Sequence, residues 1–282
     1  MDKIGLFKKI ALKGGTAIRK LYSGKQGRFS IDLDFTTTST SIPINDIEKE
    51  FIEAVDGLEI EDFKYNTSYR RNRYYVGLTS KFSKEEILKT KLDFAAPAWI
   101  ITSSKLPVSM QIHKQYGQKL PKINTIKLEE NIAEKIARLN RTTTARDLYD
   151  LKWLIQNSKI KSNLDLNLIR RLVVLKIWVD SHGLNCENAH WNKAHQPSSF
   201  DPQYWLRNRK EEELDLEDIG ALSIPVPSAK ELLSSVQQNY QFLNNLDNTE
   251  AQIAKSNAKD RSLVIKTLKK LPNNIFADKP IY

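Results

Sequence analysis

Two aspartates separated by one residue, Asp32 and Asp34, stand in the run Arg28-Phe29-Ser30-Ile31-Asp32-Leu33-Asp34-Phe35. In a strand, alternate side chains share a face, so both carboxylates point one way while Ile31, Leu33 and Phe35 point toward a core. Carboxylates that close repel and raise each other's pKa unless a cation lies between them. Mg²⁺ suits such a pair, because it prefers carboxylate oxygens and completes its shell with water and phosphates. Upstream, the apolar Ile10-Ala11-Leu12 reads as a strand running through Lys13 into Gly14-Gly15-Thr16. A glycine turn at a helix start offers backbone N–H groups to a phosphate. Together these residues describe a metal-dependent nucleotide site. The plainer readings are a simple turn for the glycines and a solvated strand end for the aspartates.

Further candidates lie downstream. Ile87, Lys89, Lys91 and Asp93 alternate with Leu88, Thr90, Leu92 and Phe94, which predicts a strand with Asp93 on its polar face. Asp93 is a third carboxylate for the site or an ion-pair partner of Lys91 or Lys89. Lys135 lies on a predicted helix with apolar Ile132, Ile136 and Leu139, where a solvated lysine is the ordinary expectation. Arg146 and Asp147 open the next helix, and Asp150 shares much of Asp147's face, so capping and local charge pairing explain them equally well.

The order of these pieces resembles a known family. Gly-Gly-Thr followed by Ser-x-Asp-x-Asp is similar to the signature of polymerase-beta-type nucleotidyltransferases. It resembles more closely the AbiEii branch, toxins of type IV toxin–antitoxin pairs, to which the MenT toxins are also similar. Three further motifs of that branch are matched in order by Lys91-Leu92-Asp93, by Ala133-Glu134-Lys135-Ile136-Ala137-Arg138 and by Arg146-Asp147-Leu148-Tyr149-Asp150-Leu151. The resemblance covers roughly the first half of the chain. It implies nucleotidyl transfer from an NTP with two Mg²⁺ ions, one aligning the triphosphate and one lowering the pKa of the attacking hydroxyl. Asp32 and Asp34 would bridge the ions, with Asp93 as third ligand or general base. Lys13, Gly14, Gly15, Thr16, Arg28 and Ser30 would surround the nucleotide, and Lys135 would meet the triphosphate as a point charge. Asp147 would belong to the active site and Asp150 to the framework. In relatives the serine corresponding to Ser30 is implicated as a site of inactivating modification by the antitoxin.

Composition points to a polyanionic partner. The chain of 282 residues carries 44 Lys and Arg against 34 Asp and Glu, a net charge of +10, which favours nucleic acid or serves solubility alone. Arg70, Arg71 and Arg73 sit among Tyr69, Tyr74 and Tyr75. That mixture suits phosphates and stacked bases, or an ordinary hairpin. His182, Cys186, His190 and His195 gather three of the four histidines and the single cysteine, yet their spacing matches no standard zinc finger. One cysteine excludes an internal disulfide. With no apolar signal core at the amino terminus and no stretch of about eighteen apolar residues, the expected location is the cytoplasm and no membrane is involved.

Strand patterns over 58–65, 72–80, 87–94 and 108–113, with Thr36–Ser41 as a loop, precede helical patterns from Leu128 onward. The expected class is α+β: a polymerase-beta-like domain with a mixed sheet over 1–125, then a helical domain over 126–282 that contributes Lys135 and Asp147. The expected function is a toxin that transfers nucleotides from an NTP to a nucleic acid, tRNA foremost, and so inhibits growth, with a separate winged-helix antitoxin as its partner. The rivals are a small-molecule transferase of the antibiotic-modifying kind and a catalytically dead basic nucleic-acid-binding module.

Overall fold

A single mixed sheet organises the first part of the chain. The computed structural model describes residues 5–276 except 96, 116, 118, 141, 184–209 and 223. Among the described residues the strands are β1 (Ile10–Lys13), β2 (Leu33–Thr37), β3 (Glu59–Ile60), β4 (Phe63–Arg70), β5 (Arg73–Ser80), β6 (Ser83–Ala95), β7 (Ile101–Lys105) and β8 (Ile123–Ile126). Their order across the sheet is β3-β4-β5-β6-β2-β1-β8-β7. The β2–β6 and β1–β8 pairs are parallel and the others antiparallel.

The apolar face of this sheet is set by alternation. Leu12, Phe35 and Leu92 point to one side, where helix α2 (Ile44–Val55) buries Ile47, Phe51 and Val55 against them. Phe35, Phe51 and Phe94 meet with ring centroids 5.5–5.8 Å apart, arrangements in which the rings offset or meet edge to face. The short helix α1 (Gly14–Ile18) follows β1 directly.

Several sequence expectations shift here. Thr36 and Thr37 were expected in a loop, but they end β2 and are fully buried. β-Branched side chains suit a pleated strand, and Thr36 Oγ1 accepts a hydrogen bond from the Ala98 backbone N–H at 3.0 Å. Residues 58–65 do not form one strand. They fold into the β3–β4 hairpin, with Glu61 in the left-handed region at φ 54°. No strand occupies 108–113; Gln111–Gln115 is a short helix, and β7 and β8 supply that edge of the sheet instead. Ile31 was expected in the core but is 47% exposed, because regular pairing of β2 begins only at Leu33.

The described chain clusters into two compact units, one of 1–25 and 29–126, the other of 26–28 and 127–282. The second is helical: α3 (Leu128–Leu139), α4 (Ala145–Gln156), α5 (Leu166–His182), α6 (Ala229–Asn239), α7 (Asn248–Lys255) and α8 (Arg261–Lys269). Ile132, Ile136, Leu148, Leu151, Leu172 and Leu175 are buried there at helical spacing. Between α3 and α5, the Lys176 ammonium is buried against Glu130 (2.7 Å) and Glu134 (3.3 Å). The fold is thus α+β with a mixed sheet. His182 ends α5 and packs on Trp178; Cys186, His190 and His195 lie outside the described residues.

Candidate active site

The sheet face opposite the core carries the carboxylates. Register makes this unavoidable: Lys13, Asp34 and Asp93 are partners across β1, β2 and β6, flanked by the core partners Leu12, Phe35 and Phe94. Side chains that are register partners on neighbouring strands stand side by side on one face. Asp34 and Asp93 therefore approach each other directly, a pairing between strands that the linear spacing did not reveal. Burial, reinforced by the Asp93 charge, pushes the Asp34 carboxyl above its ordinary pKa, while Lys13 and Lys91 pull the other way.

Asp32 lies just before β2, with its side chain 39% exposed. Its backbone carbonyl accepts a hydrogen bond from Thr16 Oγ1, which also bonds the Ser30 hydroxyl at 2.9 Å. Thr16 and Ser30 thus tie the approach to β2 onto the start of α1. The Lys91 ammonium contacts Asp93 and reaches Asp32 at 3.8 Å. The Lys91–Asp93 ion pair weighed from sequence is present, and it sits within the carboxylate group.

Gly14 closes the floor. Of the two glycines only Gly14 has a positive φ, +69°, and a Cβ there would lie 2.1 Å from Asp34 Oδ2. Glycine is needed twice over, for the backbone conformation and for the approach of the carboxylate. Gly14→Ala should cost about 1–2 kcal/mol in backbone strain and drive Asp34 from its position. Thermal unfolding together with a transfer assay checks this; a variant with full stability and full activity would contradict the arrangement.

The row continues outward. Tyr75 is the partner of Lys91, Gly77 of Lys89, Ser68 of Tyr75 and Arg70 of Arg73, all on the carboxylate face. The Lys89 ammonium lies 5.4 Å from the centroid of Tyr75, within cation–π range. Arg71 and Asn72 form the hairpin tip with φ of 50° and 59°, a turn geometry that matches strand twist. Of the three arginines, then, two lie on the face and one on the tip.

The other residues singled out from sequence belong to the helical unit. Lys135, with 2% of its side chain exposed, bonds Asp147 at 2.8 Å and Asp150 at 2.9 Å. Arg28, whose segment 26–28 belongs to this unit, makes a bidentate pair with Asp150, both bonds 3.0 Å. Arg138 Nε and Thr144 Oγ1 donate to Asp147 at 2.8 and 2.9 Å. Cations three apart on α3 therefore face carboxylates three apart on α4. Burial alone would raise the Asp147 pKa, but the charges of Lys135 and Arg138 outweigh it and hold the carboxyl well below the ordinary range. Sequence reasoning gave Arg138 no role and left Asp150 to the framework; the i, i+3 spacing on both helices was the available signal.

Among the described residues no three His, Cys, Asp or Glu side chains form a ready-made metal cage, and no helix is long and apolar enough to cross a membrane. The donor set nevertheless fits a hard cation: carboxylates on one face, one of them half-buried with its charge opposed, and a backbone turn alongside. Mg²⁺ takes one or two protein carboxylates and fills its remaining positions from water and phosphate.

Comparison with known proteins agrees with this chemistry. The family of AbiEii nucleotidyl transferase toxins of type IV toxin–antitoxin systems matches residues 1–241. Among solved structures, the chain is similar to MenT4, a nucleotidyltransferase toxin from Mycobacterium tuberculosis H37Rv. Identity is 28% and the TM-score 0.76, covering 93% of this chain and 84% of that one. A search of curated proteins returns no match. The chain belongs to the AbiEii family of nucleotidyltransferase toxins, enzymes that use a nucleotide and are paired with an antitoxin.

Proposed function

We propose that the sheet face bearing Asp34 and Asp93 transfers nucleotides from an NTP, with Mg²⁺, to an RNA acceptor, tRNA foremost, and that this arrests growth. The observation that carries the reading is the register pairing of Asp34 with Asp93 beside Gly14. Asp34, Asp93 and Asp32 would hold the cation, which supplies charge neutralisation on phosphate and a lowered pKa at the attacking hydroxyl. Lys13, by register, lies beside Asp34. Gly14, Gly15 and Thr16 open the adjoining helix, with Ser30 bonded to Thr16, where a phosphate would meet backbone N–H groups. Lys135 pairs with Asp147 and Asp150, Asp147 also with Arg138, and Asp150 also with Arg28. That favours holding their helices in place over meeting the nucleotide.

The acceptor reading is supported by the continuation of the same face through Lys89, Tyr75, Arg73 and Arg70. Basic side chains beside an aromatic ring suit phosphates and stacked bases of a single strand. Incubation with each labelled NTP, Mg²⁺ and cellular RNA tests the whole reading, with label on RNA as the expected result. For the acceptor surface, log affinity should fall with log salt by about 0.7 per phosphate contact. Replacing Arg70 and Arg73 together with glutamine should flatten that slope by about 1.4, and Arg71→Gln by less. A salt-independent acceptor interaction would point to a small-molecule substrate. The antitoxin would be a separate winged-helix protein, and both would act in the cytoplasm; co-expression that restores growth tests the pairing.

A further inference from the structure

Lys91 is set in an unusual way for a lysine on an open sheet face. Such side chains normally extend and keep the ammonium in water. Here the ammonium contacts Asp93, two residues on in the same strand, and reaches toward Asp32 at 3.8 Å. It is 20% exposed, less than Asp93 at 41% or Asp32 at 39%. The lysine side chain is therefore more covered than those of the anions it pairs with. Its charge also opposes the ionic penalty on half-buried Asp34, so one ammonium serves all three carboxylates.

We propose that Lys91 is the resident counter-ion of this cluster, holding the place of a divalent cation and leaving it when one binds. The inference rests on the metal-dependent reading above. Formal charges support it: three carboxylates face two ammonium groups, Lys13 and Lys91. A divalent cation added with both lysines in place leaves the cluster one charge positive, whereas the same cation with Lys91 displaced leaves it neutral. Lys91 must therefore oppose metal binding electrostatically while it remains, and it holds the carboxylates together when no metal is there. Once displaced it stays on the same face, next to its partner Tyr75 and beside Lys89, where it adds positive charge on the side that a phosphate chain would occupy.

The test is Mn²⁺ binding to the full chain, followed by electron paramagnetic resonance or calorimetry, in wild type, Lys91→Met, Lys91→Arg and Asp34→Asn. Lys91→Met should bind Mn²⁺ about tenfold more tightly, the scale of one partly screened charge at close range. Its metal-free melting temperature should fall below wild type, with the gap closing when Mn²⁺ is added. Lys91→Arg keeps the charge and grips Asp93 with two donors, so it should bind Mn²⁺ no more tightly than wild type. If Lys91→Met folds only with Mn²⁺ present, that too supports the proposal. If it does not fold even then, Lys91→Arg decides: tighter Mn²⁺ binding by this variant overturns the proposal. Unchanged or weaker Mn²⁺ binding by a folded Lys91→Met would also overturn it, while leaving the metal-dependent reading intact. The metal-dependent reading itself fails, and this proposal with it, if wild type binds no Mn²⁺ or if Asp34→Asn binds it as well as wild type.

Discussion

Asp34→Asn should reduce nucleotide transfer by about a thousandfold or more while raising the melting temperature of the metal-free protein. The loss follows from what the carboxylate holds: a metal that contributes several kcal/mol to the transition state, at 1.36 kcal/mol per factor of ten. The gain follows from where it sits. Burial and the neighbouring Asp93 charge raise the Asp34 pKa, so the ionised form is disfavoured in the folded, metal-free state. A carboxyl whose folded pKa lies above its unfolded value takes up a proton earlier in the native state. Stability therefore falls as pH rises through that raised pKa, and the deficit persists at neutral pH. The amide removes the ionisation and should add about 1 kcal/mol, roughly 2–4 °C, of the kind found when functional strain is relieved. Calorimetry in chelator, repeated with Mg²⁺, checks it: the advantage of the variant should shrink when metal stabilises wild type alone. Full transfer activity in Asp34→Asn would remove Asp34 from the site.

Asp147→Ala should cost about 3 kcal/mol of stability in the helical unit, the lower part of the range for breaking a buried ion pair. Lys135 retains Asp150 in this variant, and Arg138, 42% exposed, can turn to water, which keeps the cost from the upper end. Denaturant unfolding followed by tryptophan fluorescence would report it, since Trp153 and Trp178 lie in this unit. The pH dependence has the opposite sign to that of Asp34. Asp147 is held below the ordinary carboxylate range, so its contribution is complete above that range and is lost as pH falls through the depressed pKa. The acid limb of wild type should therefore be steeper than that of Asp147→Ala. The same experiment separates two roles for Lys135. If it holds the helices, Lys135→Met lowers stability; if it meets the triphosphate, the variant changes KM for NTP at unchanged stability.

What the linear chain determined was the set of parts. The Gly14-Gly15-Thr16 turn, Asp32, Asp34 and Asp93, and the switch from strand to helix near residue 127 were all legible, because alternation and the 3.6-residue period act locally. The helical motifs around Lys135 and Asp147 were visible as well, but as family likeness, since a lysine on a helix has no local mark of burial. Tertiary structure decided which parts meet. Only the parallel pairing of β2 with β6 puts Asp34 opposite Asp93, and nothing in the 58 intervening residues encodes that register locally. Only the hairpin register puts Arg70 and Arg73 on the carboxylate face and turns Arg71 to the tip. Only the packing of α3 against α4, with the 26–28 segment, takes Lys135, Arg28, Asp147 and Asp150 out of water and joins them in one network. A charge in a sequence can be solvated, paired or poised for a metal. Its neighbours in space settle which, because desolvation and Coulomb energy depend on distances that the order of residues does not contain.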